Sequence, residues 1–445
     1  MTVADPAAVT YPERCDEGAD LQTLDSTIPK LRIDSDRLRA DFEALRHIGL
    51  THDGGVNRLA LSAEDLAARA WFADRIEEAG LRVCDDDAGN LGAVLPSPDP
   101  GAKTLLIGSH LDSVPNGGHY DGTIGVLAAL ECLRTIHDAG LVLPIHLEAI
   151  NFTDDEGCWM SMMGSRALIG ALNAEAFNDV PEDDGQIRAA LRLAGIDLDT
   201  VEQAARDPEA VLGFLELHVE QSSRLERANV PIGVVTGIVG RRTYQLTFTG
   251  SAGHSGTTDM YKRRDALRGA AMFIVRAHDV VREAYGDGIF NCGDIDVEPG
   301  SFNIIPSSAC IDVEIRHYKP ELLAEMETAL FKIARECAAV CALEVESKRM
   351  LSRPAATMAA GMIQAIESAC VTLGLDHLPL VSYAGHTAQM LSLFTHSGMI
   401  FVPSVGGIGH HPDEFTHWDD VVNGANVLLQ TVLDLAYGGV PGTLT

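Results

Sequence analysis

Cationic side chains are in short supply in this chain. Lysine and arginine number 33 against 64 aspartates and glutamates, a formal net charge of −31. Such a surface repels phosphate backbones and anionic headgroups, so nucleic acid and an acidic membrane are excluded as partners. A small anionic substrate stays open, because a few local basic residues suffice to bind it. No apolar run reaches the length that spans a bilayer. The N-terminal Met1-Thr-Val-Ala-Asp-Pro6 has neither a basic start nor an apolar stretch, so no secretory signal is expected. The nine cysteines are dispersed without a CxxC pair, and Cys337 and Cys341 share a helix face as packing residues. That odd, scattered set fits reduced thiols in the cytoplasm. A Gly-x-Ser-x-Gly elbow is missing too, which argues against a serine hydrolase. So are a P-loop and a Gly-x-Gly-x-x-Gly turn after a strand, which argues against nucleotide binding.

What is there is globular: 46% hydrophobic and 22% charged over 445 residues, more than one core usually organises. Residues 1–30 are polar and aperiodic and read as a flexible N-terminal arm. Apolar residues recur at helical spacing over Asp34–Leu45 and Ser62–Ala79, the second capped by Ser62 with Glu64 and Asp65 in its first turn. Strand-like stretches follow at 81–84, 92–95, 104–107, 144–153 and 213–221, with a helix over Ile124–Arg134. From about 239 the pattern changes. Strands at 241–250, 289–298, 309–317 and 344–350 and helices at 265–284 and 321–342 succeed one another as βαββαβ, the ferredoxin-like split sandwich. After it Ala356–Leu373 reads as helix, 380–382 and 399–403 as strands, and Val421–Ala436 as a final helix. The expected architecture is α/β: a domain over 31–238 that resumes at 352–445, with an inserted domain over 239–351.

The polar residues gather at predicted strand ends. His110 and Asp112, two apart in an extended segment, face one way, and the Gly/Pro/Asn-rich loop after them returns Asp121 to the start of a helix. Ligand sites of open α/β sheets lie at such carboxyl ends. Asp154-Asp155-Glu156 follows another strand, and three adjacent carboxylates repel unless cations or solvent offset them. His218 and Glu220 share a face of a third strand, and His410-His411 come late. The stretch around His110 is by itself equally a polar loop with a capping aspartate; for 154–156 the alternative is a solvated acidic turn, which its position at a second strand end disfavours. Together, several imidazoles and carboxylates suit one or two borderline divalent ions, zinc first, with manganese, cobalt or nickel as alternatives.

Six segments, in order, carry a resemblance to a known family: 108–122 (Gly-Ser-His-Leu-Asp-Ser-Val-Pro-Asn-Gly-Gly-His-Tyr-Asp-Gly), 151–157 (Asn-Phe-Thr-Asp-Asp-Glu-Gly), 164–168 (Gly-Ser-Arg-Ala-Leu), 216–221 (Glu-Leu-His-Val-Glu-Gln), 263–267 (Arg-Arg-Asp-Ala-Leu) and 407–414 (Gly-Ile-Gly-His-His-Pro-Asp-Glu). They resemble the hydantoinase/carbamoylase branch of the M20 metallopeptidase superfamily, over roughly residues 35 to 440. The branch holds N-carbamoyl-L-amino acid hydrolases, allantoate amidohydrolases and β-ureidopropionases. The resemblance implies a zinc-peptidase-like three-layer catalytic domain with an inserted lid and dimerisation domain. It implies two divalent ions bridged by Asp121, one also held by His110 and His218, the other by Glu156 and His410. His218 is diagnostic, because the peptidase branches have a carboxylate at that position. Asp112 would orient His110 from behind, and His411 would be a neighbour of the site. His254 would polarise the substrate carbonyl oxygen from across a homodimer. Asn303 and Arg316 would hold a substrate carboxylate, to which a guanidinium fork is suited, and Gln221 would bind the ureido or carboxylate group. For Arg316 the alternative is an inter-strand salt bridge, which its position at the end of a strand in the family motif disfavours.

Two positions depart from the family pattern. The general base, a glutamate in the family, is Asp155 here, about 1.5 Å shorter in reach; a misplacement near 1 Å can cost about 100-fold in rate. In Ala384-Gly-His-Thr-Ala388 the family has aspartate in place of Thr387. The resemblance therefore implies an amidohydrolase that cleaves the carbamoyl C–N bond of an N-carbamoyl amino acid or related ureido acid. An M20 aminoacylase or dipeptidase is the nearest other enzyme. A non-catalytic binding homologue is the reading that Asp155 favours and retention of all five metal-ligand candidates disfavours.

Overall fold

Alternation along the central strands decides which side chains meet in this protein. The computed structural model describes residues 30–173 and 185–439, so the expected arm lies, apart from Lys30, outside the described residues. The described residues divide into two compact units: those up to 236, 358–380 and those from 386 on form the first, and 237–357 with 381–385 the second. The five residues Val381–Gly385 thus group with the second unit, a return that no boundary in the sequence marks.

In the first unit the sheet runs, edge inward, through Val83–Asp85, Leu91–Leu95, His146–Phe152, Thr104–His110, Val211–Val219, Ser397–Val402 and Ile232–Ile238. Thr104–His110 is parallel to both its neighbours, and Ser397–Val402 is parallel to Val211–Val219. Successive side chains of a strand point to opposite faces. Leu105 and Ile107, like Leu215, Leu217 and Val219, therefore pack into one large core with the helices Thr123–Asp138, Ala360–Leu373 and Trp418–Gly438. The alternate residues face the other way, where Phe152 and Phe214 meet edge to face at 5.7 Å. His110 and His218 belong to this second set. A two-residue period thus carries both imidazoles to one side of the sheet.

The Thr104 strand is three residues longer than its apolar run, because Gly108, Ser109 and His110 stay paired with Ile150, Asn151 and Phe152. Ser109 is polar but fully buried, its hydroxyl donating to Glu216 Oε1 at 2.8 Å. The second helix starts where its cap predicts, Ser62 accepting from the amide of Asp65; the first starts at Ser35, and Asp34 is its cap, accepting from the amides of Asp36 and Arg37. The expectation of helix from Ala356 is corrected. Ala356-Thr357 pairs antiparallel with Gly237-Ile238, sheet hydrogen bonds override apolar periodicity there, and the helix begins at Ala360.

The second unit is a four-stranded antiparallel sheet in the order Glu344–Arg353, Gly240–Thr249, Ser308–His317, Ile289–Glu298. The helices Ala266–Ala284 and Pro320–Val340 cover one face of it. Phe248, Phe273, Ile311, Ile315 and Leu330 make its core. A short antiparallel pair, Gly253-His254 with Ile304-Ile305, sits apart from that sheet. No helix of the described residues is long and apolar enough to cross a membrane, and the eight described cysteines are all free.

Candidate metal centre

The strand ends of the first unit bring His110, Asp121 and His218 together, and beside them Asp121, Glu156 and His410; within each group the candidate ligand atoms lie within 4.8 Å of one another. Asp121 belongs to both groups, and its two oxygens divide between them. Oδ1 is 2.9 Å from His218 Nε2 and 3.7 Å from His110 Nε2. Oδ2 is 3.1 Å from His410 Nε2, which is itself 3.4 Å from Glu156 Oε1.

Protonation shows what this arrangement needs. Nδ1 of His110 lies 3.0 Å from the carbonyl of Asp112, and Nδ1 of His218 lies 2.9 Å from that of Val219. A carbonyl only accepts, so each Nδ1 carries a hydrogen, and Nε2 is the nitrogen each ring turns toward Asp121, a lone pair whenever the ring is neutral. The amide of Gly122 also approaches His218 Nε2 as donor, at 3.3 Å. Asp121 Oδ1 is buried, and among the described residues no amide or hydroxyl donates to it. Lone pairs thus face lone pairs, and positive charge is wanted between them. A proton can meet the same demand: burial lowers the His218 pKa, but Asp121 and Glu216 beside it outweigh burial and raise it to about 9, so a hydrogen on Nε2 faces Asp121 until a cation takes its place. Around the pair, burial and then Asp121, Asp112 and Asp155 push Glu156 well above the usual carboxylate range. An imidazole and carboxylate donor set with an orphaned oxygen at its centre fits divalent cations of the zinc type.

Local sequence explains how the donors are held. Gly122 has φ +64°, and a Cβ there would lie 2.5 Å from the His110 ring, so only glycine lets the helix start this close to the strand end. The three consecutive carboxylates have three destinations. Asp154 accepts from the amides of Cys158, Trp159 and Met160 and shapes its own loop. Asp155 Oδ1 accepts from Thr387 Oγ1 at 2.7 Å, while its Oδ2 lies 4.0 Å from His110 Nε2. Glu156 turns to His410.

Two expected roles change. The Asp112 carboxylate stands 3.7 Å from His110 Nδ1, too far for a hydrogen bond, and instead accepts from the amides of Asp155 and Glu156 at 3.3 and 3.1 Å. Its backbone carbonyl orients the histidine, and its side chain ties the 154–156 loop to the strand end. Gln221, in a left-handed conformation at φ +55°, donates its amide to Asp121 Oδ2 at 2.7 Å. That donor is therefore engaged with Asp121 rather than held open. Glu220 caps the helix Arg224–Ala228 through the amides of Arg224 and Leu225 and takes no part. His411 points elsewhere, its Nδ1 accepting from the amide of Asp413.

In the second unit, His254 Nδ1 accepts from the amides of Gly256 and Thr257, at 3.1 and 3.2 Å. The neutral ring must then carry its hydrogen on Nε2, which makes it a donor. Asn303 adjoins this loop, its carbonyl accepting from the Ser255 amide. Arg316 is not a free fork. Its Nε donates to Glu314 at 2.6 Å and its Nη1 to the carbonyl of Tyr383 at 2.5 Å, and Glu314 also pairs with Arg241 on the neighbouring strand. The ion pair is therefore made with Glu314 of the same strand, and Arg241 supplies the inter-strand half.

Four residues gained no role from sequence. Glu414 accepts from the amides of Tyr120 and Asp121 and is pushed up to about 7 by burial and then by Asp121. Glu216 accepts from Ser109 and from the amide of Ala388. His386 stacks edge-on to His218 at 4.5 Å, and with Glu216 and His218 forms a third group of candidate ligands. Thr387 meets Asp155. Glu216 and Glu414 lie inside quoted motifs, but nothing in a linear motif says what an acid accepts from.

The chain matches Peptidase family M20/M25/M40 over residues 106–434 and belongs to that family. It is 36% identical to the N-carbamoyl-L-amino acid amidohydrolase of Geobacillus stearothermophilus over 408 residues, 91% of this chain and 100% of that protein. It is 30% identical to the allantoate amidohydrolase of Bacillus subtilis over 407 residues, 89% and 96% of the two chains. Among solved structures it is similar to an amidase of the hydantoinase/carbamoylase family from Burkholderia multivorans, with a TM-score of 0.83 and 33% identity over 92% of this chain and 99% of that one.

The Glu414 anchor depends on Gly118, where a Cβ would lie 2.2 Å from the carboxylate of Glu414. Gly118→Ala is expected to destabilise the protein by about 1–3 kcal/mol, the usual cost of overpacking. Urea unfolding checks this, and an unchanged midpoint would show that Glu414 moves aside freely.

Proposed function

We propose that the protein is a metal-dependent amidohydrolase that cleaves the carbamoyl C–N bond of an N-carbamoyl amino acid or related ureido acid. The observation that carries this is the pair of donor groups sharing Asp121, with an imidazole, His218, where peptidase branches are expected to have a carboxylate. Relatives named for N-carbamoyl-L-amino acids and allantoate, matched over nearly their whole length, supply the substrate class.

His110, Asp121 and His218 would hold one divalent ion, and Asp121, Glu156 and His410 a second, zinc being the first choice and manganese, cobalt or nickel the alternatives. Bound there, such ions supply Lewis acidity toward the scissile carbonyl and acidify a water at the site. Asp155 takes the proton of the attacking water on Oδ2 and hands it to the leaving nitrogen. Asp112 keeps Asp155 and Glu156 in place through their amides. The second unit contributes binding groups, and in this reading the chain works as a homodimer joined through that unit, which also serves as a lid. His254 donates its Nε2 hydrogen to the substrate carbonyl oxygen, and Asn303 and Arg316 take the substrate carboxylate. The carboxylate competes with Glu314 for the guanidinium, so binding at Arg316 is an exchange of partners. Gln221 steadies Asp121 and turns to the ureido group when substrate is present. The reduced cysteines and acidic surface fit work in the cytoplasm.

Metal analysis after chelation and reloading should find two ions per chain, and His218→Ala and His410→Ala should each lose one; unchanged content in either contradicts the assignment. A panel of N-carbamoyl amino acids, allantoate, N-acyl amino acids and dipeptides tests the substrate class. Turnover is expected on the first two groups, and turnover confined to dipeptides would shift the reading to a peptidase. Arg316→Ala should raise KM for carboxylate substrates about 10–100-fold, the worth of one charged hydrogen bond, with little change in kcat. Equal KM would leave Arg316 as a partner of Glu314 alone.

A further inference from the structure

The two positions that depart from the family pattern, Asp155 and Thr387, are 232 residues apart in sequence and in direct contact. We infer that Thr387 is a positioning residue for Asp155: its hydroxyl fixes the orientation of the shortened carboxylate and directs Oδ2 toward the reacting water. This rests on the proposed role of Asp155.

Thr387 Oγ1 lies 2.7 Å from Asp155 Oδ1, and both side chains are buried. A hydroxyl facing a carboxylate oxygen donates to it. The last torsion of an aspartate is soft, so without a donor either oxygen can swing toward the site. With Oδ1 held, Oδ2 is the oxygen on the His110 side, 4.0 Å from Nε2. The donor itself is not free to drift. Threonine is stiff at χ1, and Thr387 opens the helix Thr387–Leu391, whose next amide, Ala388 N, donates to Glu216 Oε2 at 2.8 Å. Glu216 Oε1 in turn accepts from Ser109 at 2.8 Å. Glu216 and Ser109 stand on two paired central strands, so the position of the Thr387 hydroxyl is referred to the sheet rather than to a loop.

Neutrality matters as well. Asp155 already sits among Asp112, Asp154 and Glu156. A carboxylate at position 387 would add a like charge at hydrogen-bond distance, whereas a hydroxyl supplies a donor and no charge. A side chain one methylene short of a glutamate has less reach to spare, and a fixed orientation restores part of what length would give.

The test compares Thr387→Val, which keeps the shape and removes the donor, with Thr387→Ser, Asp155→Asn and the Asp155→Asn/Thr387→Val double variant. All are to be confirmed at equal metal content, with an N-carbamoyl amino acid as substrate. Thr387→Val should lose about 10–100-fold in kcat, the scale of a misplacement near 1 Å, with KM within about twofold, and Thr387→Ser should recover most of the rate. In the Asp155→Asn background, itself inactive, Thr387→Val should change nothing further. A crystal structure of metal-free Thr387→Val should show the Asp155 carboxylate rotated from its place. Full kcat in Thr387→Val, an equal loss in Thr387→Ser, or an unmoved Asp155 overturns the inference while leaving the base assignment intact. Turnover in Asp155→Asn overturns both.

Discussion

Positive charge at Asp121 is the condition on which this site depends. The fold buries Asp112, Asp121, Asp154, Asp155 and Glu414, and half-buries Glu156, around the imidazoles of His110 and His218. It commits both Nδ1 hydrogens to main-chain carbonyls, so the lone pairs of the rings and of Asp121 converge. Buried like charges at such separations are costly, and amides and hydroxyls satisfy only some of them. Asp154 has three amides, Asp112 two, Glu414 two and Asp155 a hydroxyl. Asp121 Oδ1 has no amide or hydroxyl donor among the described residues, only the imidazole nitrogens of His218 and His110 beside it. What is left over at the centre is an electrostatic demand that divalent ions meet.

The scaffold serves that demand by putting rigid elements behind every donor. His110 and His218 stand on paired strand ends, Asp121 at the start of a helix that packs on those strands, and Asp155 and Glu156 on a loop tied to the same strand end by Asp112. Precision of this kind matters for hydrolysis, where small displacements of a reacting group are expensive in rate. His254, Asn303 and Arg316 belong to a separate unit with its own core, consistent with the substrate-binding role proposed for them.

How much of this was legible in the sequence follows from the range of each interaction. Strand alternation is local, so a period of two could pair His110 with Asp112 and His218 with Glu220 within their own strands, but not say that His110 and His218 meet. Helix caps are local as well, and Ser62 does what its position implies. The inserted βαββαβ pattern appears almost residue for residue, because each strand and helix there has strong periodicity. Partner choice is not local. Whether Asp112 faces an imidazole or two amides, whether Gln221 is open or turned to Asp121, and whether Arg316 is free or paired with Glu314 depend on backbone placement that no spacing reveals. The Asp155–Thr387 contact is the clearest case. Each looked like an isolated defect in a motif, and only the folded chain shows them as one arrangement.

The central claim is that Asp121 bridges two cations. Anomalous diffraction from crystals of the zinc- or manganese-loaded protein tests it most directly. The account predicts two peaks flanking Asp121, one within about 2.0–2.2 Å of His110 Nε2, His218 Nε2 and Asp121 Oδ1, the other at the same range from Asp121 Oδ2, Glu156 and His410. A single peak, or peaks that do not touch Asp121, would contradict it.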